Sequence, residues 1–126
     1  MARILIIDDE PAIVMVLKEL LSEEGYEIII ASNGLNGLQI LEEKPLPEII
    51  LMDLYMPGMS GCDIVNKIRA KPNLAKIPII LITGAIPNIS DFPPEGSYQD
   101  IINKPFEIED VIFKIHSVLT TYARGE

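Results

Sequence analysis

Short apolar runs rich in isoleucine recur along the chain at nearly even spacing, at residues 4–7, 28–31, 49–52, 79–82 and 101–102. Each run is continuous rather than alternating with polar positions, the pattern of strands covered on both faces. The segments between them carry a helical period instead. Pro11 suits a first helical position, and Ile13, Val14, Leu17, Leu20 and Leu21 then share one face, with Gly25 as a stop. Leu35, Leu38 and Leu41 pattern a second helix, and Ile64, Val65 and Ile68 a third that ends before Pro72. In the last segment Ile108, Val111, Ile112, Ile115, Val118, Leu119 and Tyr122 repeat at helical spacing. That helix is predicted to start near Glu107 and to fray over 124–126.

Strands alternating with helices through short loops imply right-handed crossovers and a parallel sheet, an α/β doubly wound architecture with helices on both faces. One connection breaks the rhythm. Between Thr83 and Lys104, Pro87, Pro93 and Pro94 interrupt the stretch where a fourth helix is expected. Proline inside a helix costs about 3 kcal/mol, so a short or irregular element is predicted there. No repeat, low-complexity tract or linker divides the chain, so 1–126 reads as a single domain.

The net charge of −9 argues against nucleic acid and anionic membrane surfaces as partners, because both select basic footprints. Cys62 is the only cysteine, which excludes an internal disulfide and leaves a buried thiol as its expected state. No apolar run reaches bilayer length, and the N-terminal run meets acid at Asp8 before it could serve as a signal peptide. A cytoplasmic setting follows by default.

The chemistry gathers at strand ends. Asp8-Asp9-Glu10 follows the first run, Asp53 the third, Thr83 the fourth, and Lys104-Pro105 the fifth. Ligands of doubly wound sheets sit outside the carboxyl ends of the strands, which would bring Asp8, Asp9, Asp53, Thr83 and Lys104 together. Crowded carboxylates repel one another and ask for a hard divalent cation with oxygen ligands. A carboxylate beside such a cation, with an ammonium opposite, is a place to receive a phosphoryl group. Blander roles exist for each piece: Asp8 as a helix cap worth about 1 kcal/mol, Lys104 as a surface lysine, Thr83 as a strand-end residue. A cap accounts for one aspartate, not for two together with Asp53. His116 falls off the main stripe of the last helix and is expected at the surface.

Taken together, Asp8-Asp9-Glu10, Asp53 within the stretch 50–61, Thr83-Gly84-Ala85 and Lys104-Pro105-Phe106 resemble the response-regulator receiver domain of two-component signalling over essentially the whole chain. The resemblance implies a five-stranded sheet of order 2-1-3-4-5. It implies that Asp53 accepts a phosphoryl group from a phosphohistidine on a sensor histidine kinase or a histidine phosphotransfer protein. It further implies Mg²⁺ or Mn²⁺ held directly by Asp9, Asp53 and the backbone carbonyl of Tyr55, with Asp8 acting largely through water. The Thr83 hydroxyl and the Lys104 ammonium would meet phosphoryl oxygens, and the Lys104-Pro105 bond is commonly cis in the family. Such a domain is a switch rather than a turnover enzyme: it catalyses its own phosphorylation and slow dephosphorylation, alters its binding to a downstream partner, and acts as a monomer or a phosphorylation-dependent dimer.

One position departs from the family. Three residues before the lysine, where the family carries Tyr or Phe, stands Ile101, a stiff branched side chain with no ring to swing inward. The departure leaves room for a pseudo-receiver that binds partners without being phosphorylated. Enzymes of related folds fit poorly. A haloacid-dehalogenase-type phosphatase needs a second aspartate where Tyr55 stands, and a flavodoxin-like nucleotide binder needs a phosphate loop where Asp8-Asp9-Glu10 would repel phosphate.

Overall fold

The structure, a computed structural model, describes residues 2–84 and 89–123. Five strands, β1 (Arg3–Ile7), β2 (Glu27–Ala31), β3 (Ile49–Asp53), β4 (Ile79–Thr83) and β5 (Asp100–Asn103), form one parallel sheet in the order β2-β1-β3-β4-β5. Among the described residues four α-helices cover it: α1 (Pro11–Glu23), α2 (Gly34–Ile40), α3 (Gly61–Arg69) and α4 (Ile108–Val118), the last running into a π turn at Leu119–Ala123.

The unbroken apolar runs find their reason here. Alternate residues of each strand enter opposite cores, so neither face tolerates a polar side chain. Leu5, Ile7, Ile50, Met52 and Leu81 pack beneath Ile64, Val65 and Ile68 of α3. Ile4, Ile6, Ile49, Leu51, Ile80 and Ile82 pack beneath Val14, Leu17 and Leu21 of α1 and Val111, Ile115 and Val118 of α4. As expected, α1 begins at Pro11 and stops before Gly25, whose φ of +97° favours glycine.

Helix α2 differs from the reading of its leucines. Leu38 and Leu41 turn inward, but Leu35 is 61% exposed, and the buried positions opposite the sheet are Gly34 and Gly37. A Cβ at Gly37 would stand 2.6 Å from Ile7 Cδ1, and one at Gly34 would stand 2.2 Å from Ile64 Cδ1. The helix rides close on its neighbours because glycine lets it. Cys62 is also less enclosed than expected. It is half-buried, with its Sγ 4.0 Å from the Phe92 carbonyl and 3.8 Å from Asn66 Nδ2. His116 is exposed, as expected.

The connection after β4 carries a single 3-10 turn, Ile89–Asp91, among the described residues. Pro87, part of the predicted interruption, lies outside the described residues, as does the predicted fraying over 124–126. Pro93 and Pro94 follow the turn, and a bend closes behind them where the Ser97 amide donates to the Pro94 carbonyl at 3.0 Å. The described residues include no helix long and apolar enough to cross a membrane.

Candidate functional site

The strand order sets the site. β1 lies between β2 and β3, so the chain moves to one side of it for β2 and to the other for β3, and the crevice at that switch opens above the carboxyl ends of β1 and β3. Ile7 pairs with Met52, so the next residues, Asp8 and Asp53, leave the sheet side by side. Asp53 in turn pairs with Ile82, and Thr83 with Asn103, which brings Thr83 and Lys104 to the same edge. Thr83 is buried at 1% exposure.

Asp8 and Asp53 are buried at 1% and 5% exposure, rare for carboxylates without partners. Lys104 supplies much of the compensation. Its Nζ lies 3.2 Å from Asp53 Oδ2, 2.5 Å from Glu10 Oε1 and 3.8 Å from Asp8 Oδ2. The Lys104-Pro105 bond is cis, and the Lys104 amide donates to the Thr83 carbonyl at 2.8 Å, anchoring the lysine to the end of β4. Burial alone would lower the ammonium's pKa, but Glu10, Asp8 and Asp53 together hold it above its ordinary value.

The remaining carboxylate oxygens are held by backbone. Asp8 Oδ1 accepts the Glu10 amide at 2.9 Å, and Asp53 Oδ1 accepts the Tyr55 amide at 3.0 Å. Asp8 therefore does not cap α1. Glu10 occupies the cap position without a side-chain capping bond, which leaves its carboxylate to reach Lys104. Asp8 Oδ2 is buried with no hydrogen-bond partner. Burial, reinforced by the Asp53 charge and only partly offset by the Glu10 amide and Lys104, pushes the Asp8 carboxyl up to about 6.

Among the described residues, Asp8, Glu10 and Asp53 offer carboxylate oxygens that all lie within 4.8 Å of one another. An orphaned buried oxygen in an all-oxygen donor set suits a hard cation such as Mg²⁺. The predicted site residues thus fall into two groups. Asp8, Asp53 and Lys104 converge by direct contact, with Thr83 at the same edge. Asp9 stands exposed at the rim, next to the triad rather than within it.

The contact of Glu10 with Lys104 is not legible in the acidic triplet, because the direction of that side chain depends on how α1 begins, which the triplet does not encode. Tyr55 carries a second unforeseen contact, because its hydroxyl donates to Asp91 Oδ2 at 2.9 Å. Ile101 is half-buried on the α3 side of the sheet, against the same core that Phe92 and Tyr98 flank; the ring centroids of those two lie 5.8 Å apart.

Comparison with known proteins agrees with this geometry. The family model described as the response regulator receiver domain matches residues 4–116. The chain is 32% identical over 121 residues to the DNA-binding dual master transcriptional regulator RpaA of Synechocystis, covering 94% of this chain and 49% of that protein. It is 31% identical over 109 residues to sporulation initiation phosphotransferase F of Bacillus subtilis, covering 86% of each. Several of the curated relatives it matches are about twice its length. Among solved structures, response regulator TrrA of Thermotoga maritima, in complex with Mg²⁺-BeF, superposes with a TM-score of 0.82 at 35% identity, covering 94% of this chain and all of that one.

Proposed function

Because the chain belongs to the response regulator receiver domain family of two-component systems, we propose that it is a phosphorylation switch whose phosphoacceptor is Asp53. The observation that carries this reading is the inequality of the two Asp53 oxygens. Oδ1 is occupied by the Tyr55 amide, whereas Oδ2 faces the Lys104 ammonium at 3.2 Å. Oδ2 is the nucleophile. It forms a bond to phosphorus in line with the departing nitrogen of a phosphohistidine. The P–N bond breaks as the O–P bond forms, and the electron pair stays with the imidazole, which takes up a proton. Lys104 offsets charge on the transferring oxygens, and the Thr83 hydroxyl binds one of them. Fixed positive charge of this kind is the main resource in phosphoryl transfer, where the transition state is loose and highly charged.

Asp8, Asp9, Asp53 and the Tyr55 carbonyl would hold Mg²⁺, or Mn²⁺ in the same oxygen set, and the bound cation would supply positive charge to offset the phosphoryl oxygens. Glu10 neighbours this set and holds Lys104 close to it. The donor is a sensor histidine kinase or a histidine phosphotransfer protein, and the output is altered binding of a downstream partner.

Intact mass spectrometry after incubation with acetyl phosphate or phosphoramidate tests the reading. The wild-type chain is expected to gain one phosphoryl group with Mg²⁺ and none with a chelator, and Asp53→Asn to gain none in either. Folded wild-type protein that gains no mass from these donors or from a phosphorylated histidine phosphotransfer protein would leave the binding-only reading in its place.

A further inference from the structure

Ile101 offers no ring to carry a signal away from Asp53, but another connection leaves the same carboxylate. The Tyr55 amide holds Asp53 Oδ1 at 3.0 Å, and the Tyr55 hydroxyl, on a side chain 41% exposed, donates to Asp91 Oδ2 at 2.9 Å, 36 residues further on. Asp91 closes the 3-10 turn in the stretch where a short or irregular element was predicted. The next residue, Phe92, packs its ring against Tyr98 at 5.8 Å and turns its carbonyl toward Cys62 of α3. One residue therefore grips the acceptor carboxylate with its backbone and a distant surface segment with its side chain.

We propose that Tyr55, acting through Asp91, is the positioning residue that couples the chemical state of Asp53 to the 89–99 segment. The inference rests on Asp53 being the phosphoacceptor. When an O–P bond forms at Oδ2, Oδ1 changes from a charged carboxylate oxygen to the neutral carbonyl oxygen of an acyl phosphate. Hydrogen bonds to charged acceptors are roughly twice as strong as those to neutral ones, so the Tyr55 amide loses part of its hold. Tyr55 relaxes, its tether to Asp91 slackens, and the turn with the Phe92–Tyr98 pair behind it loosens. This coupling needs no aromatic side chain on β5.

The test is amide hydrogen exchange of the 89–99 segment, read by mass spectrometry with and without acetyl phosphate and Mg²⁺. Intact mass on the same samples normalises each response to the phosphorylated fraction. Phosphorylated wild type is expected to exchange about fivefold faster there than the unmodified chain, the ratio separating a charge-assisted from a neutral hydrogen bond. Asp91→Ala abolishes that difference, whereas Asp91→Asn, which keeps an acceptor for the hydroxyl, retains most of it. Tyr55→Phe behaves as Asp91→Ala, and the double variant adds nothing further. An undiminished response in Asp91→Ala, or a loss that Asp91→Asn does not rescue, overturns the proposal. A wild-type mass gain without any exchange response overturns the coupling alone, while absence of the mass gain overturns the phosphoacceptor reading beneath it.

Discussion

Replacing Asp8 by asparagine should make the metal-free protein more stable, even though Asp8 is among the residues assigned to the cation. The carboxyl is buried, one of its oxygens has no hydrogen-bond partner, and the Asp53 charge lies beside it. Its pKa accordingly rises from 3.8 to about 6. A folded-state pKa above the unfolded value means that the folded protein favours the protonated form. The associated stability is fully present below the unfolded pKa and is lost as pH rises through the folded one. At about 1.4 kcal/mol per unit, a shift of roughly 2 units corresponds to about 3 kcal/mol withheld from the wild-type fold above pH 7.

Asparagine removes that cost. It keeps an oxygen to accept the Glu10 amide and gains an amino group that can donate toward the Asp53 or Glu10 carboxylate. Urea denaturation in chelator should therefore place the Asp8→Asn midpoint about 1–2 M above wild type at pH 8, for the m-values usual in a domain of this size. The gap should shrink through pH 6 and vanish near pH 4. Equal midpoints at pH 8, or a gap that persists at pH 4, would refute the argument, because neither is compatible with an ionisation penalty at this carboxylate.

Two further substitutions probe the frame around the site. A Cβ at Gly61 would stand 2.8 Å from the Leu54 carbonyl oxygen and 3.0 Å from its Cα, backbone that cannot swing aside. Gly61→Ala should cost about 1–3 kcal/mol in urea unfolding, and it should slow phosphorylation as well, because Leu54 directly follows Asp53. Arg69 ties the end of α3 to the base of the sheet, donating to the carbonyls of Ser97, Ala75 and Ile77 at 2.8–2.9 Å and to Gln99 Oε1 at 3.2 Å. Lysine lacks the guanidinium fork that spans these acceptors, so Arg69→Lys should destabilise the fold by about 2–4 kcal/mol in the same assay.

The strands and the long helices were legible because burial leaves a one-dimensional trace. A strand covered on both faces must be apolar throughout, and a helix covered on one face must repeat with its own period. Helix α2 shows where the trace fails. Its packed positions Gly34 and Gly37 carry no hydrophobic signal, while Leu35, which does, faces solvent. Close approach is a property of two surfaces, and only the neighbours Ile7 and Ile64 reveal it.

At the site, the residue types and their place at strand ends were readable from the chain, because in a parallel sheet every strand delivers its final residue to the same edge. The sequence by itself thus determined the class of fold, the edge where chemistry gathers, and the excess of carboxylates there that a cation and a lysine must balance. The tertiary structure decided which oxygens remain open. It turned Glu10 to Lys104 across 94 positions, left Asp8 Oδ2 without a hydrogen-bond partner, gave the two Asp53 oxygens different neighbours, and joined Tyr55 to Asp91. Those contacts depend on side-chain directions and on the path of an irregular segment, which propensity and periodicity do not encode, because they arise only when distant parts of the chain compete for the same few ångströms.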